Sequence, residues 1–148
     1  MPYWYLTSDG DEYCLDLFRK HYSYKNSREY KHTKCFVGPG EKLVLRTWEA
    51  DAMFVWRKFI SDSKEQGIYC SVFRNESKTK SSDLIKEADK IADAVWPNQR
   101  HYTYVDAKKV KSTNAGYCFK RAGWKVCGKT KINKLVILER EVKNAMDN

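Results

Sequence analysis

The sequence contains no long apolar run. No window approaches the roughly 20 consecutive apolar residues that a helix needs to cross a bilayer. The first five residues, which read Met-Pro-Tyr-Trp-Tyr, do not pair a basic stretch with an apolar one as a secretory signal does. We therefore expect a soluble, intracellular protein of the cytoplasm with no membrane partner.

Metal-binding spacing is also missing. The five cysteines are scattered and form no Cys-x-x-Cys pair, and the chain has three histidines. A structural zinc site would need ligands from distant segments, so we predict no metal. Free thiols in a reducing compartment are the preferred interpretation. The cysteines are Cys14, Cys35, Cys70, Cys118 and Cys127.

Acidic residues are scarce in one part of the chain. The net charge is +9, from 28 basic and 19 acidic residues, and residues 97–134 hold ten Lys or Arg against the single acid Asp106. A second basic segment, residues 19–34, interleaves its cations with tyrosines, which suits phosphate contacts and base stacking. We predict a nucleic acid or other polyanion as partner; the alternative is an ordinary solubilising face. Candidate contacts are Lys25, Arg28, Tyr30, Lys31, Lys109, Lys111 and Arg121.

The length of 148 residues fits one domain, residues 1–148. Gly and Pro between residues 35 and 40 predict a turn after a less legible segment, 1–38. Residues 42–48 and 53–60 read as two strands of an antiparallel hairpin. In it Trp48 and Trp56 are expected in the core more often than as a ligand platform, and Phe54 and Trp56 share one face.

A strand-helix-strand unit is predicted over residues 67–106. Residues 68–74 and 101–106 are rich in β-branched and aromatic types and read as parallel strands joined by a right-handed crossover. Between them, apolar residues from Leu84 to Trp96 recur at helical spacing. Ser81 or Ser82 is the expected N-cap, and Pro97 ends the helix.

Residues 114–124 read Asn-Ala-Gly-Tyr-Cys-Phe-Lys-Arg-Ala-Gly-Trp, a short helix closing on Ala-Gly-aromatic, and strands follow at 124–128 and 135–139. This segment resembles the last helix of the GNAT acyltransferases, and the resemblance extends over residues 42–140. It implies an α/β (α+β) fold with a mixed central sheet, flanking helices and a strand-helix-strand unit that binds acyl-CoA. Within the family, the sequence of this helix is most similar to that of the divergent phage Mom-type proteins, which modify adenine in DNA.

The loop before the predicted helix departs from that family. GNAT enzymes carry a glycine-rich signature there that holds the CoA pyrophosphate, whereas this chain has no glycine between Gly67 and Gly116. Helix N–H groups together with Lys78, Lys80, Ser81 and Ser82 remain able to hold phosphate. A plain solvated connection is the alternative.

The resemblance also implies a set of site residues. The pantetheine arm of acetyl-CoA, or of another acyl-CoA, would lie along Ser71, Val72, Phe73 and Arg74, with Asn114 and Phe119 contributing from the last helix. Family members often protonate the departing thiolate with a Tyr at the position of Phe119, so Tyr117 is the candidate replacement. Asp106 or Glu76 is the candidate base, and Tyr104 shapes the pocket; a turn or helix-capping carboxylate is the preferred interpretation of Asp106.

Two functions follow from these observations. The first is an acyl-CoA-dependent transferase acting on a nucleic-acid base or another anionic macromolecule. The second is a GNAT-derived binding module that has lost catalysis and holds nucleic acid or protein. The missing glycines and Phe119 favour the second function, whereas the order of the elements favours the first, which we prefer.

Overall fold

A mixed sheet of seven strands forms the centre of the molecule. The computed structural model describes residues 2–19, 35, 37–38, 40–59, 65–108, 114 and 116–142. The sheet order is β1-β2-β3-β4-β5-β7-β6, and β4 and β5 are its one parallel pair within these described residues. The strands are β1 (Tyr5–Thr7), β2 (Glu41–Arg46), β3 (Ala52–Lys58), β4 (Ile68–Asn75), β5 (His101–Val105), β6 (Lys125–Lys129) and β7 (Val136–Arg140). The helices are α1 (Glu12–Arg19), α2 (Ser81–Val95) and α3 (Tyr117–Arg121).

The β2–β3 hairpin confirms the predicted antiparallel pair, but its turn begins earlier than expected. Thr47 and Trp48 belong to the turn, where the Thr47 hydroxyl accepts the N–H groups of Asp51 and Ala52, each at 3.1 Å. Trp56 is fully buried, as predicted. The expectation that Trp48 is a core residue is wrong, because its side chain is 73% exposed.

Helix α2 covers one face of the sheet. Its apolar stripe, from Leu84 to Ala92, packs against Phe54 and Trp56, and the Trp56 indole donates to the Ala88 carbonyl at 3.0 Å. The prediction of a serine N-cap is wrong. Lys80 is the N-cap and has extended backbone angles, and its side chain makes no capping hydrogen bond.

Helix α1 covers part of the opposite face. Cys14, Leu17 and Phe18 are buried there in a second apolar cluster with Met53 and Val55. Neither α1 nor β1 was predicted, because β1 has three residues and α1 eight, too few for periodicity to stand out. Asp11 begins the helix by accepting N–H groups from Tyr13 and Cys14 at 2.9 and 3.1 Å.

A β-bulge interrupts β4 at Ser71. Trp56 pairs with Cys70 and Val55 pairs with Val72, so Ser71 is an extra residue on β4. A bulge reverses which face the following side chains occupy. As a result Phe73, rather than Val72, packs with Phe54 on the α2 side.

The bulge coincides with the end of the parallel pairing. The register between β4 and β5 runs from Ile68↔His101 to Cys70↔Thr103, and beyond it the strands diverge. From Ser71 onward, the edge of β4 that is turned toward β5 therefore faces a gap, while its other edge stays paired with β3.

The positive φ angle of Gly116 allows the turn that leads into α3. Gly116 has φ +76°, and a Cβ placed there would lie 2.5 Å from Leu138 Cδ1 on β7. The residue thus lets the chain turn into the helix while touching the sheet. Among the described residues no helix is long and apolar enough to cross a membrane. The same part of the chain holds no cluster of three or more potential metal ligands.

Candidate active site

A cleft opens between β4 and β5 where their pairing ends. It encloses about 160 Å³. Its walls are one strand segment from β4, one from β5 and the start of α3. The lining residues are Cys70, Ser71, Val72, Phe73, Thr103, Tyr104, Val105, Gly116, Cys118 and Phe119.

Ser71 brings an unsatisfied polar group to this cleft. Its Oγ is buried and has no hydrogen-bond partner among the described residues. On the opposite wall, the Thr103 hydroxyl donates to the Cys70 carbonyl at 2.8 Å and is therefore satisfied. A buried hydroxyl without a partner is costly, so Ser71 is equipped to contact a ligand that enters the cleft.

The α3 side of the cleft is apolar. Phe119 is 6% exposed, and its ring centroid lies 5.9 Å from that of Phe73 and 4.8 Å from that of Trp124. Tyr117, two residues earlier, is 53% exposed and does not line the cleft. The side chain that α3 presents to the cleft at position 119 therefore has no proton to donate.

Cys118 also lines the cleft, but it is not an activated thiol. Burial raises its pKa above the usual value of 9.0, and hydrogen bonding to the backbone only partly offsets that effect. Burial likewise raises the pKa of Cys70 well above its usual range. Because the thiolate is the reactive form, neither residue is suited to act as a nucleophile.

A second cavity, of about 500 Å³, lies between the start of α2 and α3. Lys80, Lys86 and Arg121 supply cations to it, against the single carboxylate of Asp83. The first N–H groups of any helix lack intrahelical partners, and α2 has no side-chain cap. Ser81 and Ser82 line the cavity at this end of the helix. This arrangement is suited to binding an anion.

The loop before α2 is held in shape by hydrogen bonds among its own residues. The Asn75 amide donates to the Thr79 carbonyl at 2.8 Å and to Ser81 Oγ at 2.9 Å. The N–H groups of Ser77 and Thr79 are bound to side-chain oxygens of the same loop. Polar side chains thus shape this loop in place of glycines. Lys78 lines a different cavity from Lys80, so the structure separates the two predicted phosphate-binding lysines.

Tyr104 lines two openings of the protein surface. It lines the cleft and also a separate cavity of about 680 Å³ that includes the β6–β7 turn. Its ring packs against Tyr69 and Tyr102, with centroids 5.4 and 5.8 Å away. Lys129 and Lys131 line the larger cavity, together with Phe59 and Ile137 among others.

The other candidates lie outside the cleft. Asp106 follows β5 and accepts the Lys108 N–H at 3.0 Å, as a turn carboxylate does. Arg74 pairs with Glu76 at 3.3 Å on the protein surface. Asn114 accepts a hydrogen bond from the Lys120 ammonium at 2.5 Å and precedes α3. The predicted nucleic-acid contacts Lys25, Arg28, Tyr30, Lys31, Lys109 and Lys111 lie outside the described residues.

Two features of the site were not predicted from the sequence. The bulge at Ser71 cannot be recognised in the sequence, because it lies within a run of strand-forming residues. Lys86 and Arg121 reach the α2 cavity from separate helices. Lys86 lies one turn into the predicted helix, so its spacing from Ser82 was a usable signal for a contact near the helix start.

Known structures share this architecture. The crystal structure of an acyl-CoA N-acyltransferase from Pseudomonas aeruginosa matches with a TM-score of 0.60 and 12% sequence identity, over 93% of this chain and 97% of that one. The crystal structure of Escherichia coli ElaA matches with a TM-score of 0.62 and 12% identity, over 93% and 99%. No family model and no curated protein sequence matches the chain. The predicted fold class is confirmed: the chain has the mixed α/β fold of the GNAT acyltransferases.

Proposed function

We propose that the protein is an acyl-CoA-dependent N-acyltransferase. The observation that carries this proposal is the cleft at the Ser71 bulge, where β4 stays paired with β3 but is no longer paired with β5. An acyl-CoA would supply an activated acyl group as a thioester. The likeness to a solved acyl-CoA N-acyltransferase supports the fold, and the cleft residues of this chain support an acyl-CoA as the ligand.

The exposed edge of β4 fits the pantetheine arm. An extended chain carrying amide groups can pair with the free backbone of a strand. Residues 71–74 provide such a backbone, and the orphaned Ser71 hydroxyl adds a side-chain hydrogen bond. Phe73 and Phe119 would exclude water from the acyl group. With these two rings beside it, the cleft would take a short acyl chain such as acetyl.

The cavity at the start of α2 fits the pyrophosphate. Lys80, Lys86 and Arg121 bring positive charge to the uncapped helix N-terminus, and Ser81 and Ser82 add hydroxyl donors. Cations and helix N–H groups together bind phosphate without glycines. This cavity and the cleft share Cys118, which makes them neighbouring parts of one candidate site.

Acyl transfer requires one proton to leave the acceptor amine and one to reach the departing sulfur. Phe119 can do neither. We assign the proton donor role to the Tyr104 hydroxyl, because Tyr104 is the tyrosine that lines the cleft. As the new N–C bond replaces the C–S bond, the departing sulfur takes the Tyr104 proton, and the proton that the acceptor amine releases then restores the hydroxyl. Its position between two cavities would let the acceptor amine approach from the side of the β6–β7 turn.

As acceptor we propose a nucleic-acid base. The net charge of +9 and the resemblance to the Mom-type DNA-modifying proteins support this choice. Among the described residues of the basic stretch, the exposed cations are Lys108, Lys120, Arg121, Lys125, Lys129, Lys131 and Lys134. Binding to an oligonucleotide should fall steeply with added salt. Absence of binding at low salt would remove nucleic acid from the proposal.

Isothermal titration with acetyl-CoA, compared with free CoA, tests the cofactor. We expect micromolar binding that is lost when Lys80 and Arg121 are both changed to Glu. Lys78→Glu is the matched control, since Lys78 lines another cavity and should leave the affinity unchanged.

The same titration distinguishes the second candidate, a binding module without catalysis. Phe119 is the observation that favours it, because the side chain that α3 presents to the cleft at this position has no proton to donate. No binding of either acetyl-CoA or CoA would favour that module. Binding of acetyl-CoA without release of free thiol on addition of DNA or RNA would reject these acceptors but retain the cofactor.

A further inference from the structure

Another cavity, of about 500 Å³ and near the β2–β3 turn, is lined by exposed aromatic side chains. Tyr3, Tyr5 and Trp48 are 41%, 44% and 73% exposed. The rings of Tyr5 and Trp48 contact each other, with centroids 5.7 Å apart and planes inclined by 59°. Grouped aromatic side chains at a surface indicate a binding site more often than scattered ones do. The proposed acyltransferase chemistry uses none of these three residues.

The charge of this cavity is opposite to that of the whole chain. Glu49, Asp51 and Glu76 line it, together with one lysine, Lys78. Glu76 is paired with Arg74, which is not in the lining. On a protein with a net charge of +9, an aromatic cavity with a carboxylate excess disfavours phosphate and favours a cation. The faces of Trp and Tyr rings attract cations in addition.

The walls of the cavity are held in place. The Glu76 N–H donates to the Asp51 carbonyl at 2.7 Å, which ties the β4–α2 loop to the β2–β3 turn. Asp51 also accepts the Thr47 hydroxyl at 2.6 Å. On the other side, the Tyr3 N–H donates to the Glu87 carboxylate on α2 at 2.8 Å. The aromatic rings therefore project from a fixed backbone, which lowers the entropic cost of binding.

The cavity adjoins an edge of the sheet. Strand β1 is first in the sheet order and pairs with β2 alone among the described strands. Leu6, in the middle of β1, is 70% exposed. An unpaired edge strand is where an extended peptide adds to a sheet, and alternate side chains of that peptide then enter neighbouring pockets.

We propose that this cavity binds a lysine side chain of an extended segment in a protein partner. The ammonium lies against the Trp48 and Tyr5 rings and is neutralised by Glu49, while the peptide backbone pairs with β1. Charge complementarity and the adjacent edge of β1, which no second described strand covers, select this occupant. The site is independent of acyl transfer.

The test uses the full chain and the indole N–H signal of Trp48 in two-dimensional NMR, assigned with Trp48→Phe. The probe is a seven-residue peptide of alternating Thr and Val with a central lysine. A second peptide carries acetyl-lysine at the centre, which keeps the length and removes the charge. We expect saturable movement of the Trp48 signal with the lysine peptide and about tenfold weaker binding of the acetylated one.

Variants test the aromatic part and the acidic part of the site separately. Trp48→Ala and Glu49→Gln should each weaken the lysine peptide at least fivefold, whereas Glu12→Gln, an exposed acid on α1, should not. Unchanged binding of acetyl-CoA by Trp48→Ala would show that the cleft is intact. The proposal is overturned if both peptides bind equally, if neither moves the signal at millimolar concentration, or if free tetramethylammonium binds and the lysine peptide does not.

Discussion

Asp89 Oδ1 lies 2.8 Å from His101 Nδ1 in the interior of the protein, and the side chains are 5% and 0% exposed. The other carboxylate oxygen of Asp89 accepts the Trp124 indole N–H at 3.0 Å. One residue of α2 thereby binds β5 and the residue that precedes β6. These contacts hold α2 and the segment between α3 and β6 against the sheet at the start of β5, where β5 is still paired with β4.

Removing Asp89 should therefore destabilise the fold. Asp89→Ala leaves His101 and Trp124 without their buried partner, and we expect a loss of about 3–5 kcal/mol in the free energy of unfolding. Urea denaturation followed by fluorescence measures it. Lys90→Ala, an exposed change on the same helix, should cost less than about 0.5 kcal/mol. Equal stability of the two variants would mean that the buried network contributes nothing.

Much of the fold was predictable from local pattern, and the exceptions have physical causes. The apolar repeat from Leu84 to Ala92 and the alternation around Phe54 predicted α2 and the hairpin, because burial of one face dictates sequence spacing. Trp48 was assigned to the core from its residue type alone. Its exposure follows from the early start of the turn, which depends on the Thr47 hydroxyl.

The candidate site was less predictable than the fold. Ser71 was placed on the correct strand, but the bulge that opens the cleft depends on the register with β3, a tertiary property. Lys78 and Lys80 are two residues apart in sequence yet line different cavities, since Asn75 folds the loop back between them. Local sequence contains neither relationship.

Asp11 should contribute pH-dependent stability. Burial acts to raise its pKa, but the Thr7 hydroxyl, the Cys14 and Tyr13 N–H groups and Arg46 outweigh it, so the pKa lies below the usual 3.8. A lowered pKa means that the contribution is present above about pH 4 and is lost as the pH falls through the folded-state value. We expect Asp11→Ala to cost about 1 kcal/mol at neutral pH.

Urea denaturation at several pH values checks this prediction. The difference between wild type and Asp11→Ala should shrink as the pH drops below about 4, where Asp11 is protonated first in the unfolded chain, and the charge-dependent part is gone once the folded-state carboxylate is protonated too. Asp16→Ala, an exposed position on α1, is the control. A difference that stays constant down to low pH would show that the charge of Asp11 is immaterial.

The cysteines should divide into two classes of reactivity. Burial, with a smaller contribution from the Asp11 carboxylate, raises the pKa of Cys14 to about 12, and burial also raises the pKa of Cys70 and Cys118. Cys35 and Cys127 are exposed. Brief iodoacetamide treatment at neutral pH should label these two residues and spare the buried Cys14 and Cys70 and the partly buried Cys118, because alkylation requires an accessible thiolate.

Peptide mass spectrometry reads the labelling, and a sample unfolded in urea provides the reference in which all five cysteines react. Preferential labelling of Cys118 in the folded protein would contradict the assignment and revive a nucleophilic thiol. Protection of Cys118 that is lost only on unfolding would confirm its structural role.

Ser71→Ala should weaken acyl-CoA binding without weakening the fold. The hydroxyl has no described partner, so its replacement by a methyl group should leave the midpoint of thermal unfolding unchanged or slightly higher. If the hydroxyl binds the coenzyme, titration should show acetyl-CoA affinity reduced about fivefold to tenfold. Thr103→Val gives the contrast: its hydroxyl donates to Cys70, so that change should lower stability. Unaltered affinity in Ser71→Ala would remove this contact.

Tyr104 is the proposed proton donor, and its hydroxyl should control turnover. Tyr104→Phe is expected to lower kcat by roughly 10²–10⁴-fold, the usual contribution of a positioned acid, with little effect on acetyl-CoA affinity. Tyr117→Phe, whose ring lies outside the cleft, should leave kcat nearly unchanged. Release of free thiol from acetyl-CoA in the presence of an oligonucleotide acceptor provides the rate.

A second substitution distinguishes loss of a proton donor from damage to the cleft. Phe119 contacts the cleft from α3, so Phe119→Tyr in the Tyr104→Phe background puts a hydroxyl on the opposite wall and should restore part of kcat. The restored activity should fall at high pH as the new hydroxyl ionises, because an ionised phenol cannot donate. Full activity of Tyr104→Phe alone would assign proton transfer to another group. If Phe119→Tyr restores no rate, a hydroxyl on α3 cannot replace the one that Tyr104 supplies from β5.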